Sequence, residues 1–299
     1  MNLGYACINM SLASNQPRIL TNRGMIKKTF LKKGSEYAGS LIISNINDLL
    51  LILNWNVKNR ISFFRVSSDI FPWASHYDLR SLSQYKEITK ILNKIASFVK
   101  KNNLRLTFHP GPYNVLTSPN NNVVNNTIRD LELHGEICDM LELDRSPFNK
   151  INIHCNGVYG DKKSAMDRFC LNFEKLSEAV KSRLTVENDD KSSMYSVRDL
   201  MYIHERIGIP IVFDYHHHRF CDGNISEKQA LELAISTWPR DIIPVVHYSE
   251  SKAEHELDNK IKKQAHSDYI NNLPETYGYN LDIMVEAKAK ELSILPFLK

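Results

Sequence analysis

Seven side chains of types that bind divalent cations stand at or just after the ends of short apolar runs: His109 after RLTF, His154 after KINI, Glu187 after RLTV, Asp214 after IPIVF with His217 three residues on, His247 after IIPVV, and Glu286 after LDIMV. A lone histidine at a strand end is most often a hydrogen-bonded structural residue. Six consecutive strands that all finish this way would crowd carboxylates and imidazoles out of water, at a cost of roughly several kcal/mol without a cation among them. Imidazole and carboxylate without thiolate suit Mn²⁺, Zn²⁺ or Fe²⁺ better than a cysteine-type structural zinc. Seven ligands exceed the needs of one ion, so two or three ions are expected, with Glu187 and Asp214 as the bridging candidates. Clustered divalent ions suit displacement at phosphorus, because they stabilise both the attacking and the leaving oxygen.

Such ligands converge only if the strands that carry them are parallel and end on one face. The apolar runs 2–9, 61–67, 105–109, 150–154, 183–187, 209–214, 242–247 and 281–286 have the length and the β-branched content of buried strands. Between them, 45–57, 83–101, 123–143, 164–181, 196–207 and 226–236 carry apolar residues at helical spacing, 287–293 follows the last strand, and the polar stretch 260–272 is the place left for a helix before it. No GxGxxG follows the first strand, which removes one cue for an open doubly wound sheet. The pattern predicts one α/β domain over residues 1–299, a (β/α)₈ TIM barrel with its site at the C-terminal ends of the strands.

The bulk properties agree. The chain is 42% hydrophobic and 24% charged, with a net charge of +4 that permits a polyanionic partner without demanding one. Five cysteines, Cys7, Cys138, Cys155, Cys170 and Cys221, have no CxxC spacing, which points to a reducing compartment rather than a disulfide framework. No basic stretch followed by an apolar one opens the chain, and the greasiest run, 49–53, is too short to span a bilayer. The expected setting is therefore an intracellular, DNA-containing compartment, cytoplasm or nucleus, with no secretion, no membrane and no protein partner. Arg65 has two readings, phosphate binding or pairing with a ligand carboxylate. In the run 216–218, only His217 is taken as a ligand, with His216 and His218 exposed or supporting. Trp73 reads as packing at the barrel rim. The lysine pairs 27–28, 32–33 and 162–163 follow the first and fourth strands, on the site face.

The segments GYACIN (4–9), FRVSSDIFPWASH (64–76), FHPGPYN (108–114), NIHCNGVYG (152–160), VENDD (186–190), VFDYHHH (212–218), VVHYS (245–249) and DIMVEAKAKE (282–291) resemble the UV-damage endonuclease family in order along nearly the whole chain. The resemblance implies a metal-dependent DNA repair nuclease that nicks double-stranded DNA 5′ of cyclobutane pyrimidine dimers and 6-4 photoproducts. It implies Mn²⁺ as the usual ion, with Zn²⁺ second. It marks His109, His154, Glu187, Asp214, His217, His247, His266 and Glu286 as metal ligands, with Glu187, His247 and His76 carrying the reaction and His76 at the scissile phosphate or a metal. Tyr5, Asn9, Pro112 and Tyr113 fall at lesion-contacting positions. Two departures stand out: Pro112 replaces a glutamine of the lesion-probing loop, and Val245 replaces a lysine that some members carry in modified form. Other readings of the same barrel are an abasic-site nuclease of the endonuclease IV type, a metal-dependent sugar isomerase or epimerase, and a damage sensor without catalysis.

Overall fold

A computed structural model describes residues 1–298. Eight parallel strands form its centre: β1 (Leu3–Ala6), β2 (Phe63–Arg65), β3 (Arg105–Thr107), β4 (Ile151–His154), β5 (Leu184–Glu187), β6 (Ile211–Asp214), β7 (Val245–Tyr248) and β8 (Asp282–Val285). They pair in the order β3-β2-β1-β8-β7-β6-β5-β4. A parallel bridge between Phe108 and Ile151 joins β3 to β4 and completes the ring. Each strand is three or four residues long, yet all are buried on both faces, which is why the sequence shows short apolar runs rather than polar alternation.

Within a strand, alternate residues face the barrel interior. Ala6, Phe63, Val212, Val245 and Met284 fill its middle, with Trp238 packed against them. At the N-terminal mouth, Arg105 reaches from β3 to Asp282 of β8 at 2.8 Å and also donates to the carbonyls of Ile243 and Phe148, each at 2.8 Å. The Arg105 guanidinium lies over the rings of Phe63, Phe148 and Trp238. The same inward rows, followed to the other end, finish in the candidate ligands. The interior is thus a packed column with a buried ion pair at one mouth and the polar cluster at the other.

The outer helices follow the expected spacing, with differences at their ends. Val197–Ile207 begins with a capping box between Ser196 and Asp199 and stops at Gly208 (φ 70°), where a left-handed conformation ends the helix. Glu227–Ser236 begins with a second box, Ser226 with Gln229. The main helix between β1 and β2 is far longer than 45–57. It runs over Lys27–Lys58 and kinks at Gly34 (φ 71°). By length and composition this helix is apolar enough to cross a membrane. In the fold its Ile42, Ile46, Leu49 and Leu53 are fully buried in the main core, as an outer barrel helix requires. The 164–181 segment splits into Lys162–Phe173 and Glu178–Lys181, and the last helix is only Glu291–Ile294.

The stretch 260–272 holds no helix. A single turn, Lys252–His255, stands in the β7–β8 connection, and the rest is irregular. Its backbone is held from outside: Glu250 accepts from the amides of Asn271 (2.9 Å) and Asn272 (3.2 Å) and from the Tyr248 hydroxyl (3.1 Å). A polar segment without an apolar stripe has nothing to bury as a helix, and here one carboxylate supplies the missing acceptors.

Candidate metal centre

The strand ends bring their polar residues together around Glu187, whose side chain is fully buried at the end of β5. Its Oε2 lies 3.1 Å from His109 Nε2, 3.9 Å from His154 Nε2 and 3.0 Å from His247 Nδ1, and its Oε1 lies 3.4 Å from His217 Nδ1. Glu286 Oε1 is 3.3 Å from His247 Nδ1, and Glu286 Oε2 is 3.9 Å from His266 Nδ1. Three sets of ligand atoms lie within 4.8 Å of one another: His109, His154 and Glu187; Glu187, Asp214 and His217; Asp214, His247 and Glu286. Glu187 is shared by the first two sets and Asp214 by the last two.

The residues fit a group of divalent cations on the structure's own terms. Glu187 Oε1, Asp214 Oδ2, His247 Nδ1 and His266 Nδ1 are all buried without a hydrogen-bond partner. Buried polar atoms normally have partners. Several lone pairs aimed at common points, close but unbonded, are what a cation would satisfy.

The charge balance says the same. Burial pushes the Asp214 carboxyl up to about 7, against the opposing pull of His217, and Glu187 and Glu286 add to the rise. Burial would raise Glu187 as well, but His247, His154 and His109 outweigh it and hold that carboxyl well below the usual range. His217 is raised to about 9, because Asp214, Glu187 and Glu286 overcome the effect of burial. Protons are thus shared among these groups where bound cations would replace them.

The imidazoles are oriented from behind. His109 Nδ1 faces the Pro110 carbonyl at 3.2 Å, and His217 Nδ1 faces the Asn188 carbonyl at 2.9 Å. Asp189 Oδ1 lies 3.1 Å from His154 Nδ1. For His109 and His217 the outer oxygen on Nδ1 fixes the tautomer and leaves Nε2 with the free lone pair, while Asp189 acts on His154 as a close negative charge. Replacing Asp189 with Ala should weaken Mn²⁺ binding by about 10- to 100-fold, the usual effect of losing such a partner. Equilibrium dialysis against Mn²⁺ checks this; unchanged affinity would show that Asp189 serves only its loop.

Strand alternation held a signal that the apolar reading of KINIH passed over. Lys150, Asn152 and His154 share the inward face of this segment. Asn152 donates to Glu187 Oε2 and accepts from Thr185 Oγ1 at 2.8 Å, which fixes the central carboxylate. Lys150 is fully buried, and its Nζ lies 3.0 Å from His247 Nε2. A lysine therefore does reach this interior, but from the residue that leads into β4. Val245 of β7 is part of the apolar column instead. Arg65 pairs with Glu286 at 2.6 Å, which selects the second of its two readings.

Other expectations change in detail. His216 and His218 are buried, not exposed, and His216 Nε2 meets the Gln264 carbonyl at 3.1 Å. His266 does join the cluster, through Glu286. His76 is exposed on the rim and packs with Trp73, ring centroids 5.2 Å apart, outside all three ligand sets among the described residues. Trp73 stacks on Phe30, in keeping with its packing role. Tyr5 and Asn9 are fully buried, Asn9 donating to the Tyr5 hydroxyl and that hydroxyl to Asn56. This chain of hydrogen bonds is closed off from solvent in the structure. Pro112 and Tyr113 are at the tip of the β3 loop, where Tyr113 is 87% exposed. Asn114 anchors that tip by donating to Asp130 at 2.8 Å.

Comparison with known proteins places the whole chain among known endonucleases. A UV DNA damage endonuclease of Clostridium perfringens is 37% identical over 305 residues, covering 99% of this chain and 69% of the relative. A UV-damage endonuclease of Schizosaccharomyces pombe is 38% identical over 98% of this chain and 49% of its own, longer length. The crystal structure of SacUVDE superposes with a TM-score of 0.85 at 33% identity, covering 99% of this chain and 96% of that one. A D-psicose 3-epimerase of Clostridium cellulolyticum H10, at 11% identity and a TM-score of 0.55 over 96% of this chain and 85% of that one, shares the barrel alone. The family model described as UV-endonuclease UvdE matches residues 1–299, and the chain belongs to that family.

Proposed function

We propose that this endonuclease nicks duplex DNA immediately 5′ of cyclobutane pyrimidine dimers and 6-4 photoproducts, leaving a 3′-hydroxyl, with two or three divalent ions at the strand ends. Mn²⁺ is the favoured ion and Zn²⁺ the second. The observation that carries the reading is the set of three overlapping ligand groups, joined through Glu187 and Asp214, in a member of this family. The enzyme acts wherever the cell keeps its DNA.

His109, His154, Glu187, Asp214, His217, His247, His266 and Glu286 would hold the ions. When bound, divalent ions supply Lewis-acid stabilisation of the attacking and leaving oxygens of a phosphodiester. The chain itself supplies position. Glu187 fixes the spacing of two ligand sets, held in turn by Asn152 and Thr185. Arg65 keeps Glu286 in place. Tyr113 projects from an anchored loop and would stack in the gap of an opened duplex, for about 1–3 kcal/mol. Pro112 makes that tip rigid but brings no donor. His76 on the rim would meet the phosphate backbone as the duplex arrives. Damage is recognised indirectly, since a dimerised dinucleotide stacks poorly and costs less to open.

The test compares UV-irradiated, abasic and intact duplexes incubated with the protein and Mn²⁺, with the ends mapped at nucleotide resolution. A single nick 5′ to the photoproduct is expected, and an irradiated duplex left whole would overturn the reading.

A further inference from the structure

The first 35 residues contain six basic side chains and no acidic one, so the other 264 carry a net charge of −2. The net positive charge of this chain therefore comes from its N-terminal segment. Four of the six, Lys27, Lys28, Lys32 and Lys33, lie within seven residues at the start of the Lys27–Lys58 helix.

That start is a separate piece. Gly34, with φ 71° and ψ −173°, breaks the helix and turns 27–33 away from the remainder. A Cβ on Gly34 would meet nothing within 4 Å, so it is the backbone angle, not space, that asks for glycine. At about 100° per residue, Lys27, Lys28, Leu31 and Lys32 share one side of this short helix, and Phe30 lies across from Lys28 and Lys32. Phe30 is the attachment: its ring stacks on Trp73 at 5.2 Å and 8° between planes. The Trp73 indole also donates to the Met25 carbonyl at 2.8 Å. Trp73 itself is held at φ 60°, a conformation that costs a side-chain-bearing residue energy and is kept because these neighbours fix it.

The outward side makes no ion pair. Lys27, Lys28, Lys32 and Lys33 are exposed, and among the described residues none pairs with a carboxylate; Lys33 alone has a neighbour, its ammonium lying 4.0 Å from the centre of the Tyr37 ring. By contrast, Arg23 pairs with Asp48, Lys162 with Asp199 and Lys163 with Asp167. Leu31 is 73% exposed between the lysines. The segment follows β1 and docks on the loop after β2, so it stands on the same face as the metal ligands, with His76 beside its anchor at 5.2 Å from Trp73.

We infer that residues 27–33 form a basic flap that grips the sugar–phosphate backbone of duplex DNA beside the opened lesion, seated through Phe30 on Trp73. The inference rests on DNA being the substrate and adds the surface that holds the duplex. Its lysines neutralise phosphates beside the buried ligand carboxylates, and Leu31 faces the sugars.

The test is the salt dependence of binding to an intact duplex, measured by fluorescence anisotropy between 50 and 200 mM salt. The quadruple variant K27Q/K28Q/K32Q/K33Q should lower the slope of log K against log salt by about three to four, at roughly 0.9 for each phosphate that is no longer neutralised. On irradiated DNA its KM should rise. The K100Q/K101Q variant, at the C-terminal end of the Tyr85–Lys101 helix on the opposite face, should leave the slope as it is. A quadruple variant with the wild-type slope would overturn the inference, as would an equal change in K100Q/K101Q. Because the slope is read on intact duplex, a failure here is separate from a failure of photoproduct specificity.

Discussion

Glu187→Gln should lower the nicking rate by at least about three orders of magnitude, roughly 4 kcal/mol in the barrier, while binding to irradiated duplex survives. The carboxylate belongs to two of the three ligand sets, and four imidazoles approach its two oxygens. Gln keeps the volume and one acceptor oxygen. It cannot bridge two cations, because its second arm is an amide that donates. The substitution lies at the bottom of the cluster, buried away from the flap and from Tyr113, so the grip on DNA persists. Single-turnover nicking and anisotropy on the same duplex check the two halves. Activity within tenfold of wild type would remove Glu187 from the centre of the account.

The second large effect lies at the other mouth of the barrel. Arg105→Met should cost about 3–5 kcal/mol of stability, because it leaves Asp282 buried without its cation and three carbonyls without a donor. For a chain of this size that corresponds to a fall in Tm of roughly 10 °C. Asp282→Asn in the same chain should recover part of the loss, since the stranded charge goes. Nicking below the transition should be near normal, because residues at the N-terminal mouth of such a barrel stabilise it while those at the other mouth react. Calorimetry on the single and double variants checks the stability claim. An unchanged Tm in Arg105→Met would mean that the pair contributes nothing net.

These two sites differ in how openly the sequence displays them. The upper cluster was legible because each short apolar run ends on a carboxylate or imidazole, and parallel strands must deliver such ends to one face. The fold followed from the same runs. What the runs conceal is their own polar interior. KINIH reads as an apolar strand, yet its Lys150 and Asn152 point inward and hold His247 and Glu187. Arg105 and Asp282 open their strands and read as boundary residues, although each is almost fully buried. These partners are 177 residues apart, and no local pattern announces that distance. Tyr5 and Asn9 give no sign in the sequence of the burial they have in the fold. The basic flap was visible only as two lysine pairs, since apolar periodicity begins after Gly34. Its docking depends on Trp73, a residue in another loop. The 260–272 connection lacks any period because its order comes from Glu250, outside the segment.

The most direct measurement of the central claim is the metal content of the purified chain, by elemental analysis after exhaustive dialysis, beside nicking in the presence and absence of a chelator. Two or three divalent ions per chain are expected, fewer in Glu187→Gln, with nicking lost on chelation and restored by Mn²⁺. A chain that holds no ion and nicks irradiated DNA undiminished in chelator would contradict the account.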